Sequence, residues 1–248
     1  MKKKYDIFHK KSKTSFKVIN NNNFTYINLL KIINGEILGQ LNSKSNILDV
    51  GCGVGTISFY LAKKGFNIVG IDISSKAIKT ARETASNLAL NKNTSFSFGD
   101  IQSFKLKKKN LFDLIICSEV IEHLKNDEKT LKKLHGYLKP KGILLVSVPS
   151  KNAPLYRSGI AKKFDKEVGH LRRYSIKELT KIVKGVGFYI LNIKRAEGLL
   201  RNSLFLLKPL GKIIKYIKGP IVYLVSWLDY LSLILFGESQ IFIVAQKK

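Results

Sequence analysis

Cysteine, proline and tryptophan are scarce in this chain of 248 residues, and acidic side chains are few. The two cysteines, Cys52 and Cys117, form neither the closely spaced pairs that bind zinc nor the dense pattern of a disulfide-rich secreted domain. We therefore expect neither a metal site nor a disulfide framework. The length suits one domain, or one domain with an insertion, and allows a substantial core.

Acidic residues are outnumbered by basic ones. The chain has 17 Asp and Glu against 44 Lys and Arg, which gives a formal net charge of +27. A surface with that balance favours anionic partners such as nucleic acid, acidic lipid or phosphorylated substrates. A genome rich in A and T would also encode many lysines and asparagines, whatever the partners of the protein. The asparagine run at positions 20–23 fits this second explanation equally well.

The chain also lacks an apolar run of the roughly 20 residues that a membrane-spanning helix needs. The longest apolar run covers residues 221–236, but it is shorter than a membrane span and contains Asp229. The basic N-terminal segment has no apolar stretch of the kind found in signal peptides. We therefore expect a cytoplasmic location, and we predict that residues 1–23 are a flexible basic arm.

Residues 46–72 are the most informative part of the chain and predict a strand, a glycine turn, a helix and a second strand. The turn carries three glycines, which let the backbone bend tightly and approach a ligand where a Cβ would clash. The second strand ends on Asp72, where a carboxylate can accept hydrogen bonds from two ribose hydroxyls. This pattern favours a nucleoside ligand.

The glycine spacing separates this turn from a dinucleotide site. A dinucleotide fold uses G-x-G-x-x-G beneath a pyrophosphate, whereas this chain has G-x-G-x-G preceded by Asp49. A carboxylate beside the turn would repel a pyrophosphate and could instead hold an ammonium group.

This combination resembles motif I and the acidic loop of class I S-adenosylmethionine (SAM) dependent methyltransferases. In that family D-x-G-x-G-x-G holds the methionine end of SAM, and the acid after the second strand binds the ribose. The resemblance therefore implies SAM as the cofactor. The contacts it implies in this part of the chain are Asp49, Gly51, Cys52, Gly53, Gly55, Asp72 and Ile73.

Two later segments extend the resemblance. Asp100 and Ile101 follow a predicted third strand and match the acid and apolar residue that contact adenine in the family. After the fourth strand, the run S-E-V-I-E-H is similar to the family's E-x-x-E-H segment, where methyl transfer takes place, and it implies that Ser118 and Glu119 contact the cofactor. The chain lacks the Asp/Asn-Pro-Pro-aromatic sequence of base-methylating enzymes and the acid cluster that holds magnesium in catechol-type enzymes.

Acceptor residues are expected around a long connection, residues 150–174, which helps form the acceptor pocket in the small-molecule enzymes that the chain resembles. His123 and His170 are the candidate catalytic bases, although His123 is also placed to orient the helix that follows. The substrate candidates are Arg172, Arg173 and Tyr174. The alternative is a surface histidine with arginines that face solvent.

Alternating strands and helices predict a doubly wound α/β sheet. The resemblance implies seven mostly parallel strands in a Rossmann-like methyltransferase fold, with an antiparallel last strand inserted beside the sixth. We predict one domain over residues 24–248, beginning with a helix over residues 24–41 and containing a helical insertion at residues 204–236 before the last strand.

The insertion carries two different helical patterns. Residues 208–218 alternate lysines with an apolar face, which is typical of a basic amphipathic helix. Residues 221–236 are apolar nearly all round, apart from a stripe formed by Ser226, Asp229 and Ser232. These patterns predict a helical pair that lies in the interface of an anionic membrane, or dips into it and returns, at the inner, cytoplasmic face. The alternative is a helical cap packed on the domain or on a dimer partner.

The sequence thus predicts a SAM-dependent methyltransferase that acts on a small-molecule acceptor, either lipid-soluble or lipid-linked. Its motifs look most like small-molecule enzymes such as the ubiquinone-biosynthesis O-methyltransferases. An RNA methyltransferase and a SAM-binding protein without catalysis are the alternatives. Nucleic acid is the less favoured partner, because no RNA-binding module is visible. The sequence does not predict the oligomeric state.

Overall fold

The computed structural model describes residues 19–106 and 111–248. Most of the expected basic arm lies outside these residues. The strands are β1 (Asn46–Val50), β2 (Asn67–Asp72), β3 (Thr94–Phe98), β4 (Phe112–Ser118), β5 (Leu138–Pro149), β6 (Phe188–Ala196) and β7 (Gln240–Lys247). The helices are α1 (Ile27–Ile32), α2 (Thr56–Ala62), α3 (Ser75–Asn87), α4 (Asp127–Tyr137), α5 (Pro154–Arg157), α6 (Ala161–Val168), α7 (Ile176–Gly185), α8 (Leu199–Leu206), α9 (Lys208–Gly211) and α10 (Pro220–Phe236).

The seven strands form one sheet in the order β3-β2-β1-β4-β5-β7-β6. Strands β1 to β5 pair in parallel, and β7 is antiparallel to both of its neighbours. The predicted α/β fold is therefore confirmed, including the antiparallel last strand beside β6. Because the order reverses between β1 and β4, the loops after these strands diverge and leave a crevice at their carboxyl ends.

Both faces of the central strands are covered. Along β1, Ile47 packs into one apolar cluster with Leu30 and Leu61 from α1 and α2. Its neighbour Leu48 points to the opposite face, into the cluster that contains Leu134 of α4 and other residues. Successive side chains of a strand alternate between faces, so a nearly continuous apolar run fills both layers.

The predicted first helix is present but irregular. It begins as α1, continues as a π-helix (Ile33–Ile37) and ends as a short 3₁₀ helix (Leu38–Gln40). Its predicted apolar stripe is confirmed, since Ile27 and Leu30 are almost fully buried. The helix therefore packs on the sheet ahead of β1.

Two connections around β5 are unusual. β5 begins at Leu138, directly after α4, and it contains both Pro140 and Gly142. The proline is tolerated because the pairing of β4 with β5 shifts register between Phe112 and Leu114, which marks a bulge. The long connection after β5 contains α5 and α6 and is closed by a bridge between Ser150 and Tyr174.

The insertion is helical as predicted but is broken into shorter pieces. The expected amphipathic helix over residues 208–218 is instead α9 followed by a 3₁₀ helix (Lys212–Tyr216). Gly219 has a positive φ of 54° and Pro220 occupies the first turn of α10, so these two residues separate the 3₁₀ helix from α10. The connection that contains the insertion leaves the sheet at the end of β6 and returns at the start of β7.

Candidate functional site

A cavity lies at the carboxyl ends of β1 to β4, at the crevice where the strand order reverses. It is walled by the loops that follow these strands. The residues that line it are Val50, Gly51, Gly53, Ile71, Asp72, Ile73, Gly99, Asp100, Ile101, Glu119, Val120, His123 and Leu124. The sequence-predicted residues Gly51, Gly53, Asp72, Ile73, Asp100, Ile101, Glu119 and His123 therefore meet around one space.

The glycine turn after β1 forms one wall of the cavity. Gly51, Gly53 and Gly55 all have positive φ angles, which L side chains rarely adopt. A Cβ on Gly51 would come within 2.5 Å of Val120, whereas a Cβ on Gly53 would meet nothing within 4 Å. The turn thus packs tightly at its start and leaves open space at its second glycine, where a ligand can approach the backbone.

Asp72 presents its carboxylate to the cavity from the end of β2. One oxygen accepts the backbone N–H of Gly53 at 2.8 Å, and the other accepts the N–H of Ser74 at 2.7 Å. These bonds fix the carboxylate across from the glycine turn. An ionised carboxylate can accept about four hydrogen bonds.

Asp49 lies beneath the turn and does not line the cavity. Its carboxylate is buried and accepts the hydroxyl of Ser58 at 2.5 Å. The pKa of Asp49 is raised to about 6, chiefly by burial and also by the nearby Asp72 charge, while the hydrogen bonds from Ser58 oppose the shift. An ammonium group bound here would favour the ionised form.

Tyr26 is a neighbour of Asp49 that the sequence analysis missed. It precedes α1, is hydrogen bonded through its side chain to Thr56, and has its hydroxyl pKa raised by burial and by the Asp49 charge. No motif contains it. Its place beside the glycine turn follows from the packing of α1 on the domain.

Asp100 and Ile101 line the cavity just after β3. Asp100 accepts the backbone N–H of Gln102 at 2.9 Å, and Ile101 is buried. Glu119 follows β4 with a positive φ of 55°, an uncommon conformation for a residue with a side chain. Its carboxylate accepts from Ser147 at 3.2 Å and from Gln240 at 3.0 Å.

Three predicted cofactor residues lie behind the cavity wall. The side chain of Cys52 packs in an apolar cluster with Phe59 and Phe96. Gly55 begins α2, and a Cβ there would come within 2.7 Å of Phe59. Ser118 shares a hydrogen bond of 2.8 Å with Ser147. These residues shape the wall, and their predicted direct contact with a cofactor is untested.

His123 and His170 lie side by side, with ring centroids 4.8 Å apart in an edge-to-face arrangement. Of the two, only His123 lines the cavity. Burial and the neighbouring His170 lower the pKa of His123 to about 4, so its ring is neutral at physiological pH. Glu122 lies against both rings, fully buried, and burial raises the pKa of its carboxyl well above the usual range.

The predicted acceptor residues Arg172, Arg173 and Tyr174 do not line the cavity. Arg172 donates to Asp127 at 2.9 Å and Tyr174 donates to the same carboxylate. Arg173 is buried and donates twice to Asp165, at 2.8 and 2.7 Å. Their polar atoms already bind within the protein, so the geometry does not support the expected role in holding an anion of the acceptor. The sequence could not show these partners, which lie on other segments.

Among curated proteins, the ubiquinone biosynthesis O-methyltransferase of Rickettsia felis is 37% identical over 118 residues, which are 48% of this chain and 47% of that protein. The same enzyme of Rickettsia akari matches over a similar share, 48% of this chain and 45% of that protein. The chain thus spans about half the length of the curated relatives it matches.

Solved structures share the fold. Phosphoethanolamine N-methyltransferase 2 of Haemonchus contortus, solved with SAM, superposes with a TM-score of 0.65 at 19% identity over 99% of this chain and 56% of its own. The PH0226 protein of Pyrococcus horikoshii OT3 gives a TM-score of 0.62 at 17% identity over 98% and 99%. A family model described as a methyltransferase domain matches residues 41–187, from before β1 to beyond α7. That match covers more than half of the chain and every residue that lines the cavity, and the chain therefore belongs to the methyltransferase-domain family.

Proposed function

We propose that this chain binds SAM in the cavity and transfers its methyl group to a small-molecule acceptor. The observation that carries the proposal is Asp72, whose carboxylate is held beside the glycine turn by the backbone N–H groups of Gly53 and Ser74. This arrangement places a fixed pair of acceptors beside backbone that a ligand can approach. It suits the two hydroxyls of a ribose.

The residues that line the cavity fit the nucleoside part of the cofactor. Asp72 would hold the ribose and Asp100 and Ile101 the adenine. The charge of Asp49, which lies beneath the glycine turn, would attract the ammonium of the methionine end. Gly53 leaves open space where the ligand approaches, since nothing lies within 4 Å of the position of its absent Cβ. Bound SAM supplies a sulfonium methyl that a nucleophile displaces in line. The chain's own contribution is to hold the cofactor and the acceptor in that alignment.

The exposed face of α10 supports an acceptor that dissolves in lipid. The polar stripe of α10 points inward: Asp229 is buried and accepts the backbone N–H groups of Gly198 at 3.0 Å and Arg201 at 2.8 Å. The side chains that face outward are apolar, namely Ile221, Tyr223, Leu224, Trp227, Leu228, Tyr230, Leu231, Ile234, Leu235 and Phe236. This is the reverse of an ordinary surface helix.

A membrane surface is the occupant that we propose for this face. Lys212, Lys215 and Lys218 are exposed just ahead of α10, and basic residues beside an exposed apolar face suit an anionic bilayer. None of the described helices is both long enough and apolar enough to cross a bilayer. The 17 residues of α10 would therefore lie in the interface.

The strand that follows the insertion contacts the wall of the cavity. Gln240, the first residue of β7, donates its amide to the Glu119 carboxylate at 3.0 Å, and Glu119 lines the cavity. A protein lying on α10 would work at the membrane surface, where a lipid-soluble acceptor is concentrated. Membrane contact and the acceptor class therefore support each other.

Cofactor binding is tested with a matched pair of carboxylates. Asp72→Ala should weaken SAM binding by about 1.5 to 3 kcal/mol through the loss of charge-assisted hydrogen bonds, as measured by calorimetric titration. Asp113 is the control, because it accepts the N–H of Asn46 at 2.8 Å near the opposite end of β1. Asp113→Ala should leave SAM affinity unchanged. Equal affinity of both variants would sink the cofactor assignment.

The acceptor is tested with methyl-labelled SAM and host lysate, separated into lipid, small-molecule, RNA and protein fractions. Label in lipid or small molecules supports the proposal. Label in RNA would identify the RNA methyltransferase that the basic composition also allows, and bound SAM with no labelled fraction would favour a binding protein without catalysis.

Membrane contact is tested by flotation with vesicles that contain anionic lipid. Replacing Leu231 and Leu235 of α10 by Gln should release the protein from the vesicles. The control replaces Leu171 and Leu191, which are exposed to a similar degree but lie outside the insertion, and it should float like the wild type. Flotation of the α10 variant would refute the membrane contact. Loss of a dimer in that variant, without vesicles present, would show that the face binds a second copy.

A further inference from the structure

Arg201 of α8 carries a buried guanidinium whose hydrogen-bonding capacity is largely unused. Its exposed fraction is 1%. Nη2 donates to the carbonyl oxygen of Phe24 at 2.9 Å and lies 3.3 Å from a carboxylate oxygen of Glu197. Within residues 19–106 and 111–248, Nε and Nη1 have no partner. Because buried charged groups are ordinarily paired, these two nitrogens indicate a missing ligand.

Two buried oxygen atoms near Arg201 also lack partners among the described residues. They are Oδ1 of Asn202, the next residue of α8, and Oγ of Ser239. The backbone N–H of Ser239 donates to the carbonyl oxygen of Glu197 at 2.6 Å, which brings Ser239 to the turn that leads into α8. Unpaired buried polar atoms are few in native proteins, so their accumulation around one turn indicates a polar ligand there.

This turn lies on the side of the sheet from which the acceptor would approach, a step that rests on the proposed function. Strand β6 runs parallel to β5, because both are antiparallel to β7, so Glu197 leaves β6 at the edge of the sheet that carries the cavity. The proposed cofactor contacts, Asp100, Asp72 and Asp49, lie on β3, β2 and β1 or directly after them. The cofactor would thus extend along this edge from β3 to β1, which leaves the side of β4 to β6 for the acceptor.

The rings of Phe24 and Phe205 hold the guanidinium in place. Its central carbon, Cζ, lies 4.2 Å from the ring centroid of Phe24 and 5.3 Å from that of Phe205. Contact with aromatic rings positions a cation without using its N–H groups. Phe24 is two residues ahead of Tyr26, whose side chain is hydrogen bonded to Thr56 beside the Asp49 charge. Arg201 is therefore tied to the segment that covers the methionine end of the proposed cofactor.

An apolar cluster connects Arg201 with α10. It contains Phe24, Leu204 of α8 and Val222 of α10, all buried, and Phe205 and Val225 pack against it. Phe205 and Val225 are only partly buried, so the cluster reaches the surface of the insertion. It therefore offers a path for the apolar part of a ligand between the proposed membrane face and the guanidinium.

We propose that Arg201 binds a carboxylate of the acceptor, and that the acceptor is a lipid-soluble carboxylic acid. Nε and Nη1 would donate charge-assisted hydrogen bonds to its oxygens. A carboxylate suits this place better than a phosphate, because Glu197 already offsets part of the guanidinium charge. The apolar part of the acceptor would replace contacts within the cluster, and movement of the partly exposed Phe205 ring would open the path. The proposal deepens the proposed function by naming the acceptor class.

The test uses three amphiphiles of equal chain length, kept below the concentrations at which they form micelles: decanoate, decyl phosphate and decanol. Each is titrated calorimetrically into the full-length protein, with SAM and without it. We expect decanoate to bind at least about tenfold more tightly than decanol, through its hydrogen bonds to a charged group. Equal affinity for these two would overturn the proposal. Tighter binding of decyl phosphate than of decanoate would overturn the choice of a carboxylate.

Matched arginine substitutions locate the site. Arg201→Gln should lower the preference for decanoate over decanol by at least about tenfold. Arg195→Gln removes the same charge from an exposed side chain at the end of β6 and should keep the preference. Thermal unfolding identifies any variant that has not folded. Arg201→Lys keeps the charge but loses the planar guanidinium, and it replaces Arg201→Gln if that variant does not fold. A preference that survives in the folded Arg201 variant would overturn the assignment.

SAM titration and flotation separate this inference from the proposed function. Arg201→Gln should bind SAM and float with anionic vesicles as the wild type does. SAM binding without a preference for decanoate would sink the acceptor site alone, and a preference that depends on Arg201 in a protein that does not bind SAM would sink the cofactor assignment alone. Loss of flotation in Arg201→Gln but not in Arg195→Gln would identify the anion as a lipid headgroup and overturn its assignment to the acceptor.

Discussion

Helices α2 and α10 are both rich in apolar residues, yet they have opposite environments. All seven residues of α2 are buried. In the 17-residue α10 the buried positions are Val222, Asp229 and Leu233, while Leu235 is 74% exposed. The first helix uses its apolar side chains to build the core. The second uses a polar stripe to attach itself to the domain and leaves its apolar side chains outside, which implies a further occupant.

The largest expected effect is on the free energy of unfolding, which should respond differently to truncation of a leucine in α2 and in α10. Leu61→Ala in α2 should lower the free energy of unfolding by about 2 to 5 kcal/mol, because it leaves a cavity in the core. Leu235→Ala in α10 should change it by less than about 0.5 kcal/mol. Urea unfolding of the two variants measures both effects. A cost above about 1 kcal/mol for Leu235→Ala would mean that the outer face of α10 is packed in the isolated protein, and the comparison would fail.

The next effect tests how α10 is attached. Asp229→Ala should lower the free energy of unfolding by about 1 to 3 kcal/mol, since it leaves the buried N–H groups of Gly198 and Arg201 without their acceptor. Ser226 lies on the same stripe, and its buried hydroxyl has no partner among the described residues. Ser226→Ala should therefore be close to neutral in the same denaturation assay. Equal costs for the two variants would show that the stripe acts by packing alone.

The smallest expected effect is on the pH dependence of SAM binding, and it contrasts two buried carboxylates, Asp49 beneath the glycine turn and Asp229 on α10. The pKa of Asp49 is raised from 3.8 to about 6, so the folded protein holds this proton more tightly than the unfolded chain does. Its contribution to stability is therefore present below pH 3.8 and is lost as the pH rises through about 6. The ammonium of SAM needs the ionised form, so SAM affinity should rise as the pH rises and fall by about tenfold per unit below 6.

Calorimetric titration of SAM between pH 5 and 7, in roughly half-unit steps, measures this dependence. Asp49→Asn keeps the shape and removes the charge, so it should bind SAM weakly and with little change across that range. Asp229→Asn should retain the wild-type pH profile, because that carboxylate serves the fold. An unchanged profile in Asp49→Asn would remove Asp49 from the cofactor site.

Local signals predicted the fold and most of the cavity. The glycine turn, Asp72 and the residues after β3 could each be recognised from a short segment of sequence. Each segment follows a strand that ends at the same edge of the sheet, so the fold brings them together. The direction of the α10 stripe was not predictable, because periodicity shows which residues share a face but not which face points inward. The partner of Arg172 was hidden for a related reason, since Asp127 lies far from it along the chain.

The ends of the insertion meet across a single pair of the sheet, since Ala196 of β6 lies opposite Gln240 of β7. The helices between these two residues therefore form a connection whose two ends lie side by side in the sheet. In evolution such a connection can be gained, lost or exchanged without altering the register of any strand. A methyltransferase domain of this design can thus change the surface on which it works while its cofactor cavity stays the same.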